Sequence, residues 1–296
     1  MIGLSLTRPV VCALALAVAG VQPAPRPDQF YPPLSKKASD VWGRYVDITQ
    51  ERMAKELSDA TRFLALDFTP GGGAARTVIL AGDMPIGEVA TLWENKTTIN
   101  VPNNWVHHWR GAVLIPGVRL DQVFARLQEA VPGTGQGDVV KSVIRGKEIS
   151  KDGAHLRTYM QVQRSGSVAT IGYHFVYNTE HEVMFTRRTP TRGSSTSVAT
   201  RIAELYHPGS KEEREFAAGE DGGYLRRWNS YWRYEEVGAG VIIECEALTL
   251  SRDAPAIAVL LGARGIAEGA ARESLSRALI NLREFFRTPP ASSRVR

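Results

Sequence analysis

The sequence predicts an α+β domain in which a curved antiparallel sheet grips a long C-terminal helix, preceded by an N-terminal helical extension. From residue 105 onward, strand-forming segments alternate with short turn sequences such as Ser150-Lys-Asp-Gly153 and Gly238-Ala-Gly240, the pattern of an antiparallel meander. The chain closes on residues 272–286, where Leu275, Ala278, Leu279, Leu282 and Phe286 share one helical stripe that has to be buried against a sheet face. A third signal lies at residues 39–64. There Trp42, Tyr45, Val46, Ile48, Met53, Leu57 and Leu64 recur at mostly helical intervals, behind a capping Ser39 or Asp40.

Taken in chain order, residues 1–19 read as a signal peptide. One cation, Arg8, precedes an apolar stretch from Pro9 to Ala19 that ends in Ala17-Val18-Ala19, small residues placed for cleavage. The stretch is shorter than the roughly 20 apolar residues a membrane span needs, so the product is expected to be secreted or periplasmic. Of the 2 cysteines, Cys12 leaves with the leader and Cys245 remains, which excludes an intramolecular disulfide. Residues 20–75 comprise a proline-rich tether, the helix of residues 39–64 and a flexible connection at Thr69-Pro-Gly-Gly-Gly-Ala-Ala75.

Residues 76–290 form the main domain. Its expected strands are Arg76–Ala81, Trp105–Ile115, Val139–Ile149, Leu156–Gln163, Val168–Tyr177, Ser195–Tyr206, Tyr224–Val237 and Val241–Leu250. A helix at residues 120–130 interrupts them, with Val123, Phe124, Leu127 and Ala130 on one stripe. The formal charge of +5 comes from cations scattered among acids, as in Lys211-Glu-Glu-Arg-Glu215. A nucleic-acid partner, which calls for clustered cations, is not expected.

A two-residue loop at Gly238-Ala239 would pair Val237 with Gly240 and fix the register of the last two strands. One face then sets Trp228, Ser230, Trp232 and Tyr234 opposite Thr249, Ala247, Cys245 and Ile243. The large and small side chains of that face either interdigitate as a solid core or line a cavity for a small molecule. The reverse face sets Arg233 opposite Glu244 and Tyr231 opposite Glu246, with Arg227 and Glu235 beside them, and is expected to hold a cross-strand ion pair.

Several blocks of this chain resemble the START-like superfamily, the helix-grip proteins that include lipid-transfer domains and polyketide cyclases, in an exported bacterial branch. The blocks are His107-His-Trp-Arg-Gly-Ala-Val-Leu-Ile-Pro-Gly117, Thr200-Arg-Ile-Ala-Glu204, Leu225 through Glu236, Glu244 through Arg252, and Arg272-Glu-Ser-Leu275. The resemblance implies a hydrophobic or amphipathic ligand held between the sheet and the C-terminal helix. Trp109, Trp228, Ser230, Trp232, Tyr234, Ile243 and Cys245 would face it from the sheet, and Leu275, Leu279 and Leu282 would close it from the helix. Arg226 departs from the resemblance, standing where a bulky apolar residue is implied. The implied protein is a binding or transfer protein without a cofactor, with transient contact to a membrane surface. The alternative is a cyclase- or hydrolase-type enzyme that uses His107, Tyr234 or Arg201 in the same space.

Other chemistry finds little support. Gly133-Thr-Gly-Gln-Gly137 follows a helix and precedes a strand, the reverse of the order a dinucleotide loop requires. Neighbouring His107 and His108 on a strand point to opposite faces and cannot share one ion, so no metal site is expected. Glu235, Glu236, Glu244 and Glu246 could supply an acid–base pair, yet the hairpin register gives Glu244 a structural partner in Arg233. Cys245 has no sequence cue for a base beside it. Export predicts a mature N-terminus near Gly20. Recovery of protein with an intact Met1 from a cytosolic fraction, read by N-terminal sequencing, would refute it.

Overall fold

A computed structural model describes residues 33–168, 171–217, 219–253 and 263–288. The expected signal peptide and most of the proline-rich tether lie outside the described residues. The elements are α1 (Lys36–Leu57), a 3-10 turn (Ala65–Phe68), α2 (Gly72–Leu80), β1 (Ile86–Glu88), β2 (Asn104–Pro116), α3 (Leu120–Leu127), β3 (Val139–Ser150), β4 (Gly153–Val168), β5 (Ile171–Thr189), β6 (Arg192–Tyr206), β7 (Arg214–Glu215), β8 (Arg227–Val237), β9 (Gly240–Arg252) and α4 (Ala263–Arg287). All strand pairs are antiparallel, in the order β1-β2-β9-β8-β6-β5-β4-β3, with β7 pairing only the end of β6.

The expected hairpin register is present. Val237 pairs with Gly240, and from that turn follow Tyr234 opposite Ile243, Arg233 opposite Glu244, Trp232 opposite Cys245 and Ser230 opposite Ala247. Alternation along the strands then sorts the sheet into two faces. The inner face packs against α3 and α4, the outer face against α1, the 3-10 turn and α2. The result is three layers with one continuous sheet in the middle.

Several expectations are corrected. The first helix starts at Lys36 behind Ser35, whose hydroxyl accepts the Ala38 N–H at 3.2 Å, and it ends at Leu57. Residues 58–64 leave the helix because Asp59 folds back to accept the N–H groups of Thr61 and Arg62. The triple glycine is not a flexible connection, and residues 76–81 are not a strand. Gly71 takes the left-handed conformation at φ 80° and opens α2, and a Cβ on Gly72 would lie 2.2 Å from the Leu66 carbonyl oxygen. These glycines permit close approach, and the approach places Ile79 among Leu64, Leu66, Ala112, Leu114 and Ile242. Strand β5 runs on to Thr189, β8 begins only at Arg227, and α4 begins at Ala263, ahead of the expected Arg272.

The largest correction concerns the outer face. Arg233 and Glu244 are register partners, but they do not form the expected cross-strand ion pair on an exposed surface. Both are buried, at 4% and 2% exposure, beneath the N-terminal layer. Arg233 donates to the Phe63 carbonyl at 2.9 Å and pairs with Glu56 of α1. Glu244 accepts the Ala65 and Leu66 N–H groups at 2.5 and 2.9 Å. Beside them, Glu246 pairs with Arg52 of α1 and with His108 Nε2 at 2.7 Å, while His108 Nδ1 shares a 2.9 Å hydrogen bond with the Tyr45 hydroxyl. Farther along, Arg76 of α2 joins Asp67 to Glu235, which also meets Arg192.

Burial pushes both central carboxyls upward, with opposite net results. At Glu244 burial outweighs the nearby Arg233 and Arg110, and its carboxyl stays raised. At Glu246 the hydrogen bond and charge of His108, with Arg52 and Arg110, reverse the effect of burial and bring it down to about 2. The depressed Glu246 adds stability that is complete above its usual value of 4.5 and is lost as pH falls through about 2. Glu246→Gln should therefore flatten the acid limb of a stability–pH curve measured by urea denaturation, by about 3 kcal/mol across that window. Arg233→Met removes a buried cation from beside Glu56 and Glu244 and leaves them Arg52 and Arg110, at 2.9 and 3.9 Å. With those partners kept, it should cost about 1 to 3 kcal/mol, read as a fall in the urea midpoint.

Candidate ligand site

The inner face is built from cross-strand rows. Nearest the hairpin turn, Val113, Ile243, Tyr234 and Gly193 lie side by side, and the next row runs Gly111, Cys245, Trp232, Ser195, Phe185, Ala154. Val113, Ile243, Tyr234, Cys245, Phe185 and Ala154 of these rows are buried. A Cβ on Gly193 would sit 2.5 Å from the Phe124 ring of α3, and that ring also meets Phe185 and Tyr234 edge-on at 5.3 and 5.2 Å. A Cβ on Gly111 would sit 2.8 Å from Leu279, so the missing side chain is where α4 docks. Leu275, Leu279 and Leu282 enter the same cluster as Tyr234, Ile243 and Cys245.

The following rows are different. Trp109, Ala247, Ser230, Ser197, Val183 and Leu156 form one, with small residues at its centre, and His107, Thr249 and Trp228 begin the next. Trp109, Trp228, Trp232, Ala247 and Thr249 are only half-buried although they face the helix side. They stand around the small side chains of Ala247, Ser230 and Ser197. Beyond them lies a second apolar cluster of Met160, Val162, Tyr177, Ala199 and Ile202, against which Trp228, Phe175 and Leu225 pack.

A polar belt crosses between the two clusters. The Trp228 indole N–H donates to the Ser230 hydroxyl at 3.1 Å, and His181 meets Ser197 through Nδ1 and Thr179 through Nε2, each at 3.2 Å. Trp228 stands edge-on to the His181 ring at 4.9 Å. His107 Nε2 and the Ser251 hydroxyl share a 2.8 Å contact at the other end. Burial lowers His181 to about 3 and raises the Tyr234 hydroxyl and the Cys245 thiol. Each of these groups is therefore neutral over the ordinary pH range.

The ten residues assigned from the sequence thus divide. Tyr234, Ile243, Cys245, Leu275, Leu279 and Leu282 belong to the buried cluster, Ser230 is buried beside Ala247, and Trp109, Trp228 and Trp232 are half-buried. Sequence reasoning missed His181, Ser197, Tyr177 and Glu204. They lie on strands whose pairing is set by a bulge between Glu180 and His181, which alternation read along one strand does not reveal. The alternative candidate Arg201 points to the outer side, where it pairs with Glu215. Among the described residues no group of three or more His, Cys, Asp or Glu could hold a metal ion.

An antiparallel sheet with its C-terminal helix laid along the inner face is a helix-grip arrangement, the fold class expected from the sequence. No family model and no curated protein matches the chain. Solved structures similar to it include an aromatase/cyclase from a Streptomyces species, with a TM-score of 0.36 and 14% identity over 64% of this chain and 100% of that one. A STAR-related lipid transfer protein from Xanthomonas axonopodis gives a TM-score of 0.36 and 16% identity over 64% and 96%. Human StAR-related lipid transfer protein 5 gives 0.33 and 13% over 84% and 97%. Overlap this partial leaves the fold to be read from the strand order and the helix packing.

Gly193→Ala should force the Phe124 ring aside and cost about 1 to 3 kcal/mol, read as a drop in melting temperature. The same change at Gly238, where nothing lies within 4 Å of the added Cβ, should not meet that clash.

Proposed function

We propose that the protein binds or carries a hydrophobic or amphipathic small molecule in a trough between the sheet and α4, floored by Ala247, Ser230 and Ser197, outside the cytoplasm. The observation that carries this reading is the incomplete burial of Trp109, Trp228 and Trp232 on the face that α4 packs against. Tryptophan is rarely buried completely, and here three indoles stand around Ala247, Ser230 and Ser197, side chains that leave part of each ring uncovered. An apolar wall with a few polar groups suits a lipid-like guest. Export rests on the leader sequence alone.

The alternative, a cyclase- or hydrolase-type enzyme, needs a group whose proton moves near the working pH. His181, Tyr234 and Cys245 are all driven away from that range by burial, which favours binding over catalysis.

Ser230→Phe fills the trough and tests the reading. It should lower uptake of a fluorescent fatty acid or sterol at least about tenfold while the thermal transition stays cooperative and near that of the parent. A parent protein that takes up no such probe, together with a variant that melts far below it, would mean a solid core, and the binding reading would fall.

A further inference from the structure

On the other side of the sheet from α4, the N-terminal layer holds a groove of about 580 Å³, a size at which small molecules are bound. It is lined by one stripe of α1, by the turn from Leu92 to Lys96, and by Arg62 and Phe68. Ile48, Phe68, Leu92 and Trp93 give it apolar surface. Phe68 and Trp93 are half-buried, and Leu92 keeps 36% of its surface exposed.

The charges along the groove are unevenly matched. Arg44 lies between Glu51 at 3.4 Å and Glu94 at 3.7 Å, Arg52 pairs with Glu56 at 2.9 Å, and Arg62 pairs with Asp59 at 2.9 Å. Every carboxylate lining the groove therefore has a cation. Lys55 of α1 and Lys96 of the turn line the same space, and among the described residues neither ammonium group meets an acceptor.

The turn that carries Lys96 is fixed by its own hydrogen bonds. The Trp93 N–H donates to the Thr97 carbonyl and the Lys96 N–H to the Trp93 carbonyl, each at 2.9 Å, while the Asn95 side chain accepts the Thr97 N–H at 3.1 Å. Lys96 stands at φ 64°, a left-handed conformation that glycine adopts without cost and lysine does not. A lysine in such a position points to a use for its side chain.

We propose that this groove binds a small aromatic anion, its ring against Trp93 and Leu92 and its charge between Lys55 and Lys96. A cationic guest would find each carboxylate already paired, and a neutral one would leave both ammonium groups unused. The site lies on the opposite face from the trough and does not depend on the binding reading above.

Calorimetric titration of the full chain with naphthoate, naphthylmethanol and naphthylmethylamine, all substituted at the same ring position, tests it. Naphthoate should bind tightest, by about tenfold over the alcohol, and should weaken as salt is added. Lys55→Gln and Lys96→Gly should each weaken naphthoate about threefold, and together about tenfold. Because glycine suits the positive φ, Lys96→Gly should keep a urea midpoint no lower than that of the parent, which separates loss of the ammonium group from loss of the fold. Ser230→Phe, on the far side of the sheet, should leave naphthoate binding unchanged. Equal binding of the three probes, tightest binding of the amine, or parent-like affinity in the double lysine variant overturns the site. A fall in naphthoate affinity confined to Ser230→Phe puts the probe in the trough, which overturns the groove and supports the earlier reading. No binding of naphthoate at millimolar concentration overturns the groove alone.

Discussion

The pairing of Val237 with Gly240 divides every residue of the last hairpin between two environments that could not be exchanged. A slip of one residue would move Arg233, Glu244 and Glu246 onto the face of α4 and Trp232, Tyr234 and Cys245 beneath α1. The ionic groups would then lie in an apolar cluster, and the indoles among carboxylates. Because β9 also pairs along its whole length with β2, the same register places His108 beside Glu246 and Gly111 beside Cys245.

The outer face shows why the N-terminal layer belongs to the fold. Carboxylates at 2% and 3% exposure are tolerable only with partners, and the partners come from α1 and the turn after it. Arg52 reaches Glu246, Glu56 reaches Arg233, and the first N–H groups of the 3-10 turn cap Glu244. Around this polar centre, Trp42, Tyr45 and Met53 bury apolar surface with Leu248 and Leu250. Hydrophobic contact supplies the association, while the ion pairs fix one placement of α1 along the sheet.

On the inner face the order of side-chain sizes sets the division of labour. Phe124 over Gly193 and Leu279 over Gly111 fill the hairpin end, which anchors α3 and α4 there. The middle rows carry the small side chains of Ala247, Ser230 and Ser197, and the surrounding indoles keep part of their surface. Hydroxyls and neutral His181 between the two apolar clusters supply hydrogen bonds without charge, which suits a guest held by shape and burial.

The sequence by itself determined the class of fold, the hairpin register, the amphipathic terminal helix and the aromatic face of β8. These follow from local rules: strand alternation, a two-residue turn and helical periodicity act over a few residues and leave their mark in the order of side chains. Trp109, Trp228, Ser230 and Trp232 share the inner face for that reason. Only the tertiary structure decided that Arg233 and Glu244 find their partners in the N-terminal layer, that Gly71 and Gly72 open a helix, and that His181 and Glu204 lie on the inner face. Those outcomes depend on which distant segment arrives over each face, as with Glu56 and Arg233 or Glu204 and Gly222. Alternation says which way a side chain points, and packing between segments far apart in sequence decides what it meets there.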